Sequence, residues 1–214
     1  MATRPAYFVQ DNKIVEKNFE FTWFPGFSVS QKRRSIESLH SRIHAAYPSA
    51  NPLEISTKGE ILLGTKLSAF HLRLNQVPLE CVFQSSKVFN DTDKPHTEWI
   101  SLHPKEAKAA ARVLHEQGKI LTGFFYDGES FSLLPKTVFY DYIYLQSVAE
   151  SLTAEEIHNV LNYDFFTDIE FNPQRSINTQ ARTVALLRQI LLQFGSLQSF
   201  SKDEFIAYHK EHIG

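Results

Sequence analysis

The chain has 214 residues, 43% hydrophobic and 21% charged, with 18 Phe, 8 Tyr and 2 Trp, enough apolar material to bury a large core in one domain or in one domain with an extension. A net charge of −2 excludes attachment to nucleic acid by bulk charge and leaves only a local basic patch. The single cysteine, Cys81, excludes a disulfide within the chain and argues against a cysteine-rich zinc site, and no stretch reaches the roughly 18 apolar residues of a membrane span.

The opening "MATRPAYFVQ" lacks the apolar run of a signal peptide, so the expectation is a soluble cytoplasmic protein with no membrane contact. "AYFV" and "FEFTWF" read as extended pieces, followed by a turn at Pro25-Gly26. "SVSQKRRSIESLHSRIHAAY" then reads as a helix, with Ile36, Leu39, Ile43 and Ala46 at helical spacing. The loop "PSANP" sets a boundary, which predicts an N-terminal extension over 1–52 packed on a main domain over 53–214.

"LEISTKGEILLGTKLSAFHLRL" reads as two strands, or a strand and a loop, punctuated by Gly59 and Gly64. "HPKEAKAAARVLHEQG" predicts a helix with Pro104 in its first turn and Gly118 as its stop. "KILTGFFYDG" predicts a strand and turn, and "KTVFYDYIYLQSVAES" a buried aromatic helix or a strand. Capping boxes pair Thr153 with Glu156 and Ser201 with Glu204. Between them lie an extended run, "YDFFTDIEFNP", and a long helix, "SINTQARTVALLRQILLQF", stopped by Gly195. The expected fold is α+β, predominantly helical, with a small β-sheet.

Three stretches carry candidate chemistry. In "LECVFQSSKVF" (79–89), a helix would put Glu80, Gln84 and Lys87 on one narrow face. That face is either a solvated stripe or a carboxylate and an amine sharing a pocket, where burial would lower the lysine pKa and make it a nucleophile. In "FTDIEFNP", an extended strand would line up Phe166, Asp168, Glu170 and Asn172 on one face, with adjacent carboxylates roughly 6–7 Å apart. Such a pair can divide acid and base roles, or simply be the wet side of an edge strand. The following "RSIN" opens a helix, so Arg175, Ser176 and free backbone N–H groups form a candidate phosphate seat. The third stretch, "QKRRSIESLHSRIH", could touch a nucleic-acid backbone or be a solvated helix face; His40 and His44 are too weak a pair to predict a metal. No Walker loop, nucleophile elbow or dinucleotide fingerprint is present, and no metal or cofactor is expected.

"PLECVFQSSKVF" resembles the motif of the NADAR (YbiA-like) superfamily, roughly P-T-x-E-H-x-F-Q-A-x-K-F, with Glu80, Phe83, Gln84 and Lys87 in place. "LSAF" (67–70) resembles the superfamily's F-S-N-F segment, which brings in Ser68 and Phe70, and "INTQARTVALLRQ" resembles its N-x-L-G-x-L-L-M-x-x-R helix, with Asn178 and Arg188 in register. "FTWFPGFSVSQKRRSIESLH", "FYDYIYL" and "FTDIEFNPQRSINTQA" resemble the branch of NADAR antitoxins encoded beside DarT toxins, which attach ADP-ribose to guanine in DNA; this likeness spans nearly the whole chain. Two departures stand out. The widespread E-H pair is Glu80-Cys81, and "FTDIEFNP" replaces the W-G-x-G segment, with Glu170 rather than Asp168 opposite that segment's acid.

The resemblance implies a YbiA-like fold and hydrolysis of an N-glycosidic bond to ribose. Its branch implies an antitoxin that removes ADP-ribose from guanine in DNA, with ADP-ribose, ADP-ribosylated DNA and a DarT-type toxin as partners. Lys87, Glu80, Asp168 and Glu170 are then the catalytic candidates, and Ser68, Phe70, Gln84, Asn172, Arg175, Ser176 and Asn178 the substrate-binding ones. The alternatives are a metabolic N-glycosidase on small ribosylated amines and a non-catalytic binder of ADP-ribose or toxin. Phe131 and Tyr140 are candidates to stack on a base.

Overall fold

The computed structural model describes residues 1–172 and 179–213. Strands β1 (Ala2–Gln10) and β2 (Lys13–Phe21) form a hairpin in unbroken register, from Ala2↔Phe21 to Gln10↔Lys13. Its two-residue turn, Asp11-Asn12, has φ 51° and 61°. Positive φ at both positions twists the turn the way paired strands twist, and Asp and Asn tolerate that region. Helix α1 (Val29–Ala46) starts at a capping box, where Gln31 N–H donates to Ser28 Oγ and Ser28 N–H donates to the Gln31 side chain. Ile36, Leu39 and Ile43 are buried as the periodicity predicts, and Ala46, in the last turn, is exposed.

Strand β3 (Pro52–Glu54) follows, then helix α2 (Leu62–Lys66), strands β4 (Arg73–Leu74) and β5 (Val77–Pro78), helix α3 (Leu79–Ser85) and strand β6 (Lys87–Phe89). A 3-10 turn at Thr97–Ser101 leads to α4 (Pro104–Glu116), where Pro104 occupies the first turn and His103 is the cap. Strands β7 (Leu121–Tyr126) and β8 (Glu129–Phe131) form a second hairpin, then α5 (Val138–Ser151), α6 (Ala154–His158), β9 (Phe165–Thr167), α7 (Gln180–Phe194) and α8 (Lys202–His212) complete the chain. Both capping boxes form, and Gly195, at φ 76°, ends α7 in the left-handed conformation that suits glycine. Among the described residues no helix is long and apolar enough to cross a membrane.

This mixed α+β chain makes two compact units, Met1–His71 with Leu152–Gly214, and Leu72–Ser151. The boundary expected near residue 52 falls inside the first unit, which holds a four-stranded sheet in the order β2-β1-β9-β3. One core of this unit joins Phe8, Phe19 and Phe21 of the hairpin to Ile36, Leu39 and Ile43 of α1 and to Phe165 and Ile169; Phe8 and Phe165 stack at 4.5 Å. The second unit contains the β4-β5 ribbon and a β6-β7-β8 sheet, with Cys81, Phe89, Trp99, Ala107 and Ala111 in a core of its own.

Three expected elements are corrected. The helix expected to continue to residue 89 ends at Ser85, because the Ser85 and Ser86 hydroxyls donate back to Val82 O (3.1 and 2.8 Å) and Phe125 N–H captures Ser86 O (2.7 Å). Lys87 therefore opens strand β6, opposite Phe124. The strand expected through residue 172 stops at Thr167, because Asp168 Oδ1 accepts the N–H groups of Glu170 and Phe171 (3.0 and 3.1 Å) and closes a turn. The second extended piece expected in 53–74 contains the short helix α2 instead. The expected helix start at "RSIN" lies outside the described residues.

Candidate active site

Within the second unit, α3 and β6 carry Glu80, Gln84 and Lys87. Gln84 lies one turn after Glu80 on α3, and its Nε2 donates to Glu80 Oε1 at 2.8 Å. The amide's other atom, Oε1, is buried with no hydrogen-bond partner among the described residues, a leftover acceptor beside a carboxylate. Lys87 reaches the neighbourhood by the change from helix to strand. Its Nζ lies 5.1 Å from the centre of the Phe83 ring, one helical turn before it.

Phe83 itself packs in an aromatic cluster, 5.4 Å from Phe124, 6.2 Å from Phe139 and edge-on to Tyr140 at 5.4 Å. That apolar wall makes the charged amine costly. Burial lowers Lys87 to about 8, with Lys108 adding to the lowering and Glu80 opposing it. A lysine of this kind has a useful neutral fraction near physiological pH and can add to an electrophilic carbon.

Within the first unit, a second constellation surrounds Asp168. Oδ2 of this buried residue accepts from Gln180 Nε2 (2.9 Å) on the first turn of α7, while Gln180 Oε1 accepts from Ala69 N–H (2.7 Å). One amide thus ties Asp168 to the "LSAF" turn, where the Ser68 hydroxyl is buried with no hydrogen-bond partner among the described residues. On the other side stands Glu54, the last residue of β3. Its Oε1 accepts from Ile169 N–H (2.8 Å) and its Oε2 from the Thr167 hydroxyl (2.6 Å). With its own proton given to Glu54, Thr167 Oγ1 accepts from His40 Nε2 (2.9 Å).

Burial raises the pKa of both Glu54 and Asp168; repulsion from Glu54 adds to the rise at Asp168, and repulsion from Glu170 adds to the rise at Glu54. His40, lowered to about 4 by burial and by His44, is neutral at physiological pH. A cavity of about 320 Å³ in this unit is lined by residues including Arg33, Glu37, His40, His44, Glu54 and Glu60; no residue singled out as catalytic from the sequence lines it.

These three motifs are those of one family, and a family model described as DarT1-associated NADAR antitoxin matches residues 2–213. The chain belongs to the DarT1-associated NADAR antitoxin family. A search of curated proteins found no match.

For this NADAR antitoxin the structure brings Glu80, Gln84 and Lys87 together and separates the two acids of "FTDIEF". Asp168 is buried, whereas Glu170 is exposed and pairs with Lys32 Nζ at 3.0 Å. Asn172 is half-buried just beyond the turn, and Phe70 is 79% exposed beside the buried Ser68. Arg175, Ser176 and Asn178 lie outside the described residues. Phe131, expected as a stacking candidate, is buried against Phe139 (5.0 Å) and Tyr142 (5.3 Å), so its ring faces are used in packing; Tyr140 is half-buried.

The basic helix is engaged internally. Lys32 holds Glu170, Arg33 holds Glu60 (3.3 Å), Arg34 stacks on Phe24 (3.9 Å) and Arg42 donates to Glu20 O (3.0 Å). The sequence reading missed Glu54, Thr167 and Gln180. Glu54 does carry a signal, a lone charge between Leu53 and Ile55 in an apolar strand; Gln180 carries none, because its value lies in bridging two distant segments.

Proposed function

We propose that this chain is an ADP-ribosyl hydrolase that removes ADP-ribose from guanine bases in DNA and so acts as the antitoxin to a DarT-type toxin. The observation that carries the reading is Lys87, an amine lowered to about 8 over an aromatic face and within the field of Glu80, the carboxylate that Gln84 holds. Family membership supports the same class of reaction.

In the proposed reaction, ribose C1″ carries both the ring oxygen and the guanine nitrogen, so it is an aminal. Protonation of the ring oxygen lets the C1″–O bond break, while the guanine nitrogen's lone pair forms a C=N bond. The neutral Lys87 amine adds to C1″ and a proton passes from it to the guanine nitrogen, which leaves with the C–N electron pair as the free amine. The resulting lysine imine takes up water, and breaking its C–N bond returns Lys87 and releases ADP-ribose, whose aldehyde recloses. The net change is one water consumed per bond broken.

Glu80 holds the nascent lysine cation and Gln84 Oε1 accepts a ribose hydroxyl. Asp168 or Glu170 supplies the ring-oxygen proton, Ser68, Phe70 and Asn172 bind substrate, and Arg175, Ser176 and Asn178 take the diphosphate, on the strength of the family motifs.

The test is release of ADP-ribose from an oligonucleotide ADP-ribosylated on guanine. Wild type is expected to release it, Lys87→Ala is expected to fall by at least about a thousandfold, and borohydride added during turnover is expected to fix the sugar on Lys87. Release by a Lys87→Arg variant without any trapped adduct would point instead to direct attack by carboxylate-activated water. Turnover of small ribosylated amines alone would make the chain a metabolic N-glycosidase, and ADP-ribose binding without turnover would make it a binder.

A further inference from the structure

We infer that Glu54 is a positioning residue that braces the residues on both sides of Asp168 and makes Asp168, rather than Glu170, the acid of the site. The inference deepens the hydrolase reading and rests on it.

The two carboxyls near the end of β9 sit in opposite surroundings. Glu170 is exposed to solvent and ion-paired to Lys32 at 3.0 Å, which turns its carboxyl towards the surface. Asp168 is 7% exposed, and among the described residues its hydrogen-bond donors are neutral, the Glu170 and Phe171 N–H groups and the Gln180 amide. Next to it stands a second carboxyl, Glu54, 4% exposed, whose bonded donors are likewise neutral, Ile169 N–H and the Thr167 hydroxyl.

Thr167 and Ile169 flank Asp168 in the chain, so the two oxygens of Glu54 hold the Thr167 hydroxyl on one side and the Ile169 peptide N–H on the other. Burial, with the field of Glu54 adding to it, makes ionising Asp168 costly, and Asp168 keeps its proton into the neutral range. Among the described residues, the charged and titratable groups around Asp168 include Arg4 and Tyr7 on β1 and Glu54 on β3, with Arg182 of α7 acting on Tyr7 and Glu170, two residues on, paired to Lys32. Arg4 attracts both Asp168 and Glu170 and is the cation that tempers the pair. Glu54 also connects through Thr167 to His40 in the wall of the cavity beside α1, so one line of hydrogen bonds ties the brace to that wall.

Glu54→Gln tests this because the amide keeps the shape and can still brace: its oxygen accepts from Ile169 N–H and its nitrogen donates to Thr167 Oγ1. Only the charge is lost. Carboxyl ¹³C resonances of aspartate-labelled protein, with Asp168 identified through Asp168→Asn, give its midpoint without any substrate. Expected is a downward move of about one pH unit or more in Glu54→Gln, with the alkaline limb of the kcat/KM profile for ADP-ribose release moving by the same amount.

A purely structural glutamate would lower activity at every pH and leave both midpoints in place, which would overturn the inference. If Glu54→Gln does not fold, Asp168→Asn and Glu170→Gln decide: loss of the alkaline limb in the first, with the midpoint unmoved in the second, supports it, and the reverse overturns it. A shifted Asp168 midpoint in a protein that releases no ADP-ribose would sink the hydrolase reading while leaving the brace intact.

Discussion

Lys87 is unusual because burial removes much of the ammonium's usual advantage over the neutral amine, while Glu80 pulls the other way. Its folded pKa lies below the free value, so the amine gains its nucleophilic form as pH rises through about 8. The expected kcat/KM for ADP-ribose release therefore climbs from pH 6 and bends near 8. Glu80→Gln removes the group that raises Lys87, so the bend should move to lower pH even though the maximal rate falls; a bend that stays put or moves up would remove Glu80 from the lysine's environment. A stability measurement separates a functional lysine from an architectural one. Lys87→Met replaces a disfavoured charge with an apolar chain of similar length, and Tm at pH 7 should rise by roughly 2–8 °C, for about 1–2 kcal/mol, while release is lost.

At the scale of elements, α2 is short and lies close against β3, and Gly64 is what lets it approach. A Cβ at Gly64 would sit 2.1 Å from the Glu54 carbonyl oxygen, so Gly64→Ala must push β3 and α2 apart. Expected is a loss of about 1–3 kcal/mol in urea unfolding, as for other overpacked sites, together with reduced release because the Glu54 brace moves. Helix α1 supplies a contrasting case. Leu39 is fully buried in the core under β1 and β2, and Leu39→Ala should cost about 2–5 kcal/mol, whereas Ala46→Ser at its exposed end should change stability by less than about 0.5 kcal/mol. Thermal or urea unfolding of the two variants side by side checks both.

For the molecule as a whole, the buried groups impose opposite pH slopes on stability. Lys87, lowered on folding, contributes stability that is lost as pH falls through about 8. The Glu54–Asp168 pair, raised on folding, contributes stability that is present in acid and lost as pH rises above the ordinary carboxyl range. Unfolding free energy measured from pH 4 to 10 should therefore lose its fall between the ordinary carboxyl range and about 8 in Glu54→Gln, and lose its rise above about 8 in Lys87→Met; the opposite assignment would show the signs to be wrong. Net charge sets a further expectation. With −2 overall and Lys32, Arg33, Arg34 and Arg42 engaged within the first unit, few cations remain on α1 to displace counterions from DNA. Plotted against log salt, log kcat/KM on the oligonucleotide should fall with a slope no steeper than about −2; a steeper slope would mean that α1 exchanges its internal partners for phosphates.

Local rules determined much of this protein from sequence alone. The helix stripe of Ile36, Leu39 and Ile43, the capping boxes at Thr153 and Ser201, the proline start of α4 and the glycine stop of α7 depend on neighbours within a few residues, and all appear where the sequence puts them. The segment that pairs Glu80 with Gln84 was legible for the same reason, since one helical turn joins them. Tertiary structure decided the rest. Ser85 and Ser86 bond back to Val82 O, and strand β7 then captures the backbone at Ser86, which moves Lys87 from a helix face onto a strand beside Phe83. Asp168 and Glu170 look equivalent two residues apart in sequence, yet a turn, Glu54 and Gln180 bury one while Lys32 meets the other at the surface. Desolvation and hydrogen bonding to segments more than a hundred residues away, or across a helix start, leave no periodic trace in the sequence, and they are what set the chemistry of these two carboxyls.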